Sequence, residues 1–162
     1  LVKLAFQPGT FQMKLGVEDL KRLYARSEVF IVNVEEAQRI LNTEARDVKK
    51  LLKDLALYGP KIVIITDNTR GAYMYDNDHY YFVPMYPDPR PAFDRTGCGD
   101  AFASTFVSAL ALGKSHIEAF MWAPVNPMSV AQFVGAQEGL LTLDQLEWWL
   151  GRAPAEFRVK EI

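Results

Sequence analysis

The sequence predicts an α/β fold: a mostly parallel sheet covered by helices on both faces. Three observations carry this. Val29-Phe30-Ile31-Val32 and Ile62-Val63-Ile64-Ile65 are unbroken apolar runs of strand length, as expected for parallel strands buried on both faces. Residues 44–57 between them form a strongly amphipathic helix, with Val48, Leu51, Leu52 and Leu55 on one face and Lys49, Lys50, Lys53 and Asp54 elsewhere. Strands alternating with helices of this kind build layered α/β domains, and 162 residues suit one domain.

Taken in order, residues 1–6 form an apolar strand ended by Gln7-Pro8-Gly9. A helix follows over residues 17–26, with Leu20, Leu23 and Tyr24 spaced i, i+3, i+4. The strand at 29–32 leads into a short helix at 35–41. The amphipathic helix at 44–57 is stopped by Gly59-Pro60. Residues 61–66 are the clearest strand. Residues 71–75 and 80–84 read as a hairpin around Asn77-Asp78. A proline-bearing loop, 86–91, precedes a glycine-rich turn and an apolar helix beginning near Phe102. Helices follow near 116–134 and 143–150. There is no internal repeat and no low-complexity linker.

Composition narrows the function classes. Apolar residues make up 49% and charged residues 23% of the chain, values of a globular protein in water. A formal net charge of −2 gives no electrostatic footprint for nucleic acid or for an acidic membrane surface. No apolar run approaches the ~20 residues of a membrane span, and no secretory leader is recognisable at the start. One cysteine rules out an internal disulfide or a cysteine-cluster metal site. These features point to the cytoplasm. The chain opens on Leu1 rather than Met and enters an apolar run at once, which reads as a piece of a longer chain.

The richest stretch is Asp94-Arg95-Thr96-Gly97-Cys98-Gly99-Asp100-Ala101-Phe102. Glycines around one small residue let a ligand approach the backbone. The amides of Gly97, Cys98 and Gly99 then lie at a helix start, where unpaired donors and the helix dipole favour an anion. A carboxylate beside such a cradle hinders simple phosphate binding. It makes sense if Asp100 takes the proton of an attacking hydroxyl while the cradle holds a transferred phosphoryl group. The plainer alternative is that Asp94 or Thr96 caps the helix and Asp100 suits its dipole.

The longer string Asp-x-Thr-Gly-x-Gly-Asp-Ala-Phe resembles the C-terminal signature of the PfkB (ribokinase-like) family of carbohydrate kinases, with Cys98 where that family usually has Ala. Three further segments resemble the family in the right order. Gln7-Pro8-Gly9 stands where Asn-Pro-Gly is usual. Asn33-Val34-Glu35-Glu36 matches Asn-x-x-Glu. Thr66-Asp67-Asn68-Thr69-Arg70-Gly71-Ala72 matches Thr-x-Gly-x-x-Gly-Ala, with Asn68 at a glycine position; Asn tolerates left-handed backbone better than most residues. The resemblance implies a three-layer ribokinase-like fold for residues 1–162, as the nucleotide-binding C-terminal portion of a kinase whose N-terminal half and lid are not in this piece.

What the resemblance implies for function follows. ATP donates its γ-phosphoryl to a hydroxyl of a sugar or related alcohol, leaving ADP. Asp100 is the base, and Gly97, Cys98 and Gly99 form the anion hole. Asn33, Thr66, Asn68 and Gly71 line the nucleotide site, and Asn33 and Glu36 help place Mg2+, partly through water. Asn126, on the late helix, is a candidate adenine contact. Asp94 resembles a residue of a monovalent cation site, K+ in ribokinase-like members; a cap or loop brace is the alternative. For Asn33 and Glu36 the alternative is a helix cap followed by dipole-favoured glutamates. Adenosine-type nucleoside kinases of the same superfamily and a non-catalytic nucleotide-binding module remain open as alternative functions. His79 and His116 are isolated and suggest no ligand set. Cys98 lacks a histidine nearby in sequence and reads as a filler rather than a nucleophile. Trp148-Trp149 reads as core plus exposed face.

Overall fold

A computed structural model describes residues 2–162. Its sheet has six strands in chain order: β1 (Ala5–Phe6), β2 (Val29–Asn33), β3 (Ile62–Thr66), β4 (Ala72–Asp76), β5 (His79–Val83) and β6 (Lys160–Glu161). β1, β2 and β3 run parallel, and β4 returns antiparallel to β3. The sheet is therefore mixed: β1 and the two apolar runs make its parallel part, and the expected hairpin adds its antiparallel part. Asn77 and Asp78 turn that hairpin with φ of 49° and 64°, the two left-handed residues of a type I′ turn.

The helices are α1 (Thr10–Leu15), α2 (Val17–Arg26), α3 (Val34–Leu41), α4 (Val48–Ala56), α5 (Cys98–Ala111), α6 (His116–Trp122), α7 (Val125–Val130) and α8 (Leu143–Leu150). Several elements differ from the sequence reading, β6 and the start of α5 at Cys98 among them. The first strand shrinks to two residues, and Leu1 of the expected 1–6 strand lies outside the described residues. α1 was not expected; it follows Gly9 and buries none of its residues fully. α4 starts at its cap, Asp47, whose carboxylate accepts the Lys50 amide at 3.2 Å, rather than at 44. The long helix expected at 116–134 is two short ones, because Pro124 and Pro127 remove amide donors and Pro124 sits at the start of α7.

The chain divides into two compact units. The first holds the residues through Asn68, then 72–82 and 161–162; the second holds 69–71 and 83–160. In the first unit, Phe30 and Val32 of β2 and Val63 and Ile65 of β3 pack with Leu20 and Tyr24 of α2, Ala37 and Ile40 of α3, and Leu51, Leu52 and Leu55 of α4. Val29, Ile31, Ile62 and Ile64 point to the opposite side and are buried too. That is why neither strand alternates in sequence. Tyr24 meets Phe30 edge-on, with ring centres 5.1 Å apart. In the second unit α5 packs on α6 and α7, and α7 on α8. Phe106 and Phe120 are fully buried there, and Tyr86 ties α8 to the preceding loop by donating its hydroxyl to the Trp149 carbonyl at 2.8 Å.

Candidate functional site

In the first unit, register places two of the sequence candidates side by side. Asn33 ends β2, Thr66 ends β3, and the two are direct partners across the parallel pair. Gln7-Pro8-Gly9 follows the end of β1 in the same direction. Carboxyl ends of adjacent parallel strands are where open α/β sheets bind ligands. Asn33 is also the cap of α3. Its Oδ1 accepts the Glu36 amide at 2.8 Å, and Glu36 Oε2 accepts the Asn33 amide at 2.9 Å. The cap reading and the ligand reading thus fall on the same two residues. The capping box uses one oxygen of Glu36 and leaves its other carboxylate oxygen outside the box on a half-buried side chain.

After β3 the chain turns through Asn68, whose φ is 50°. The residue standing at the glycine position adopts the left-handed backbone expected of it, at the modest cost that Asn tolerates. Gly71, with φ of 106°, sits where only glycine is comfortable.

In the second unit the glycine-rich turn opens α5. Gly97 is the residue before the helix, at φ 81°. A Cβ there would lie 2.5 Å from the Ala136 Cα and 2.6 Å from its carbonyl oxygen. Both the backbone angle and the close approach of the 135–136 turn therefore demand glycine. The amides of Gly97 and Gly99 donate to no acceptor among the described residues. The Cys98 amide, expected to join them, already donates to the Arg95 carbonyl at 3.2 Å, and that of Ala101 to Gly97 at 2.8 Å. The cradle offers two unspent donors rather than three. Asp100 lies in the first turn of α5 and is exposed, as is Gly99.

Asp94 braces this turn. Its Oδ1 accepts the Thr96 amide at 2.9 Å and its Oδ2 the Gly135 amide at 3.4 Å. The Thr96 amide, foremost among these, holds the Asp94 carboxyl below the usual carboxylate range. This is the loop-brace alternative; a cation would have to use the lone pairs that remain. The Cys98 thiol points inward and donates to the Pro127 carbonyl at 3.5 Å, and burial pushes it up in pKa despite the helix start. A protonated, inward thiol is a filler, as expected.

Asn126 takes a different task from the one expected of it. It is 8% exposed, its Nδ2 donates to Thr105 Oγ1 at 2.9 Å, and its Oδ1 accepts the Leu141 amide at 2.8 Å. Its carbonyl and an amide proton are committed inside the core, where losing one partner costs about 1–3 kcal/mol. It staples α5 and α7 to the segment before α8 rather than presenting itself to a base. His79 and His116 belong to no metal cluster, since no group of three acidic, histidine or cysteine side chains gathers among the described residues. No helix among the described residues is long and apolar enough to cross a membrane.

Comparison with known proteins shows the family and the fold. The chain is 35% identical over 114 residues to a cytidine kinase of Thermococcus kodakarensis, an alignment covering 70% of this chain and 40% of the relative. Among solved structures, a nucleoside kinase of Burkholderia thailandensis in complex with inosine superposes with a TM-score of 0.80 at 22% identity, over 97% of this chain and 50% of that one. A ribokinase of Arabidopsis thaliana complexed with ribose and ATP superposes with a TM-score of 0.73 at 22% identity, over 80% and 43%. The chain therefore spans half the length of these relatives or less. The model of the pfkB family carbohydrate kinases matches residues 8–142, and the chain belongs to that family.

Proposed function

We propose that this chain carries the nucleotide-handling machinery and the catalytic base of a kinase that moves the γ-phosphoryl of ATP to a hydroxyl of a sugar, free or within a nucleoside. The observation that carries the reading is the start of α5. There, Gly97 and Gly99 have unspent amides, and Asp100 follows at once on an exposed first turn. Donors fixed by a helix start need no rearrangement to hold negative charge as it develops. Asp100, as the base, receives the proton of the attacking hydroxyl as its oxygen bonds to phosphorus and the bond to the ADP oxygen breaks. Cys98 contributes its amide only by sharing it with the Arg95 carbonyl.

Asn33, Thr66, Asn68 and Gly71 are the proposed nucleotide-lining residues. Glu36, with its carboxylate oxygen outside the capping box, and Asn33 are the residues proposed to hold Mg2+ through water. When bound, the ion supplies positive charge to the nucleotide phosphates. Asp94 serves the turn first; K+ beside it is the finer, optional part of the proposal. The 35% identity to a cytidine kinase favours a nucleoside acceptor as the second reading.

The test is calorimetric titration of Mg-ATP and Mg-ADP into the chain, beside the Gly99→Val variant. Saturable binding that the variant loses supports the reading. A folded chain that binds neither nucleotide overturns it.

A further inference from the structure

The turn that presents the Gly97 and Gly99 amides is closed by one residue, Arg95. Its carbonyl accepts the Cys98 amide at 3.2 Å. Its side chain leaves in another direction: Nη2 donates to Asp88 Oδ2 at 2.6 Å, and Nη1 lies 3.7 Å from the Met85 sulfur. The two partners are unequally placed. Arg95 is 41% exposed at its side chain and Asp88 only 15%, and the second oxygen of Asp88, Oδ1, is buried with no hydrogen-bond partner among the described residues. A carboxylate in that state relies on the guanidinium for its compensation, because an unpaired buried charge is strongly disfavoured. An exposed arginine would satisfy itself in water at little cost. The pair is therefore held together from the Asp88 side, and what it holds is the backbone of Arg95.

The geometry points to Asp88 and Arg95 as positioning residues for the anion cradle: the half-buried carboxylate, one of its oxygens shut away from water, fixes the arginine, and the fixed arginine keeps the turn closed around the Gly97 and Gly99 amides. Neither residue touches the phosphates in this account. The inference rests on the proposed kinase reading for its purpose, but the closing of the turn is measurable without nucleotide. Two other braces act on the same turn, Asp94 and the contact of Gly97 with Ala136. The Asp88 pair is the one that reaches back into the proline-bearing loop.

The experiment measures amide hydrogen exchange at Cys98 and Ala101, with Ala119 inside α6, whose amide donates to the Ser115 carbonyl, as internal reference, for the wild-type chain, Asp88→Asn, Arg95→Met, Arg95→Lys and the charge-swapped Asp88→Arg/Arg95→Asp. Exchange is expected to quicken about tenfold at Cys98 in the single variants that break the pair, without change at Ala119. The effect should be larger for Arg95→Met, which strands the half-buried carboxylate, than for Asp88→Asn. The swapped pair should recover protection, or, if it does not fold, Arg95→Lys should recover part of it. Unchanged Cys98 exchange in both breaking variants overturns the inference. Calorimetry with Mg-ATP on the same proteins separates it from the parent reading. If the wild type binds, affinity should fall about tenfold with each break and return with the rescue. Loss on Arg95→Met alone, with Asp88→Asn binding normally, would make Arg95 a ligand contact and overturn the positioning role. If the folded wild type binds nothing, the kinase reading fails, and the exchange result still decides the turn.

Discussion

Gly97 is the residue on which the candidate site depends most. An L side chain there must adopt φ near 81° and also displace the backbone of Ala136. Replacing it with Ala should cost about 2 kcal/mol or more, since strain and overpacking act together. Urea unfolding checks this, and a loss well under 1 kcal/mol would mean that the 135–136 turn yields freely. Asp94, Thr96, Gly97 and Asp100 were legible in the sequence because they sit within seven residues of one another and signal a turn feeding a helix. The employment of Cys98 by the Arg95 carbonyl was legible only as a possibility of any tight turn. Asn126 could not be placed from sequence, because its partners, Thr105 and Leu141, lie 21 and 15 residues away, and nothing in its neighbourhood distinguishes an inward amide from an outward one.

At the scale of elements, α3 offers the cleanest separation of stability from binding. Asn33→Ala removes the cap and should cost about 1 kcal/mol. Asn33→Ser keeps a capping oxygen and should leave stability within a few tenths of a kcal/mol, so any fall in nucleotide affinity with Ser reports a direct role of the carboxamide. Equal affinity in Ser and wild type would leave Asn33 as a cap alone. Strand β6 makes a different prediction. His79 Nδ1 lies 2.7 Å from a Glu161 oxygen, and this hydrogen bond, ahead of the bare charge, raises the His79 pKa above its ordinary 6.5. A raised histidine contributes stability that is complete below pH 6.5 and fades as pH climbs through the raised value. Both partners are exposed, so the effect on folding is small. The ring titration seen by NMR is the better measurement: its midpoint should lie above 6.5 and move back toward it in Glu161→Gln. An unmoved midpoint would show that the pair does not persist in solution. The strands at 29–32 and 61–66 and most helices were legible from periodicity, and α3 and α4 needed only their caps to fix their starts. α1 was missed because six residues with no fully buried side chain give no periodic signal. The break at Pro124 was in plain view, but the apolar run on either side outweighed it.

For the whole molecule, the spacing of four separate segments was enough to indicate the family, because their order along the chain is the order in which the fold uses them. The pairing of Asn33 with Thr66 was not, since register is a property of two strands at once. The chain spans about half the length of its relatives, and the residues proposed here handle nucleotide and proton rather than an acceptor. Nucleotide binding without turnover is therefore the expected behaviour of the 162 residues, assayed against a panel of sugars and nucleosides. Measurable phosphoryl transfer would overturn that expectation and locate an acceptor site within the chain. Where transfer is observed, Asp100→Asn should lower kcat by roughly 10²–10⁴ with little change in nucleotide affinity. The sheet order carries a consequence of its own. Strands β1 to β5 lie side by side in the order in which a ribosome releases them, and the whole of 84–159 is made before β6. Each of these strands pairs with the one made just before it, with paired residues 24 to 33 positions apart between β1, β2 and β3, so the first unit is expected to assemble strand by strand during synthesis. Only Lys160 and Glu161 must travel back, so a nascent chain stalled before them should already hold a protease-resistant five-stranded core.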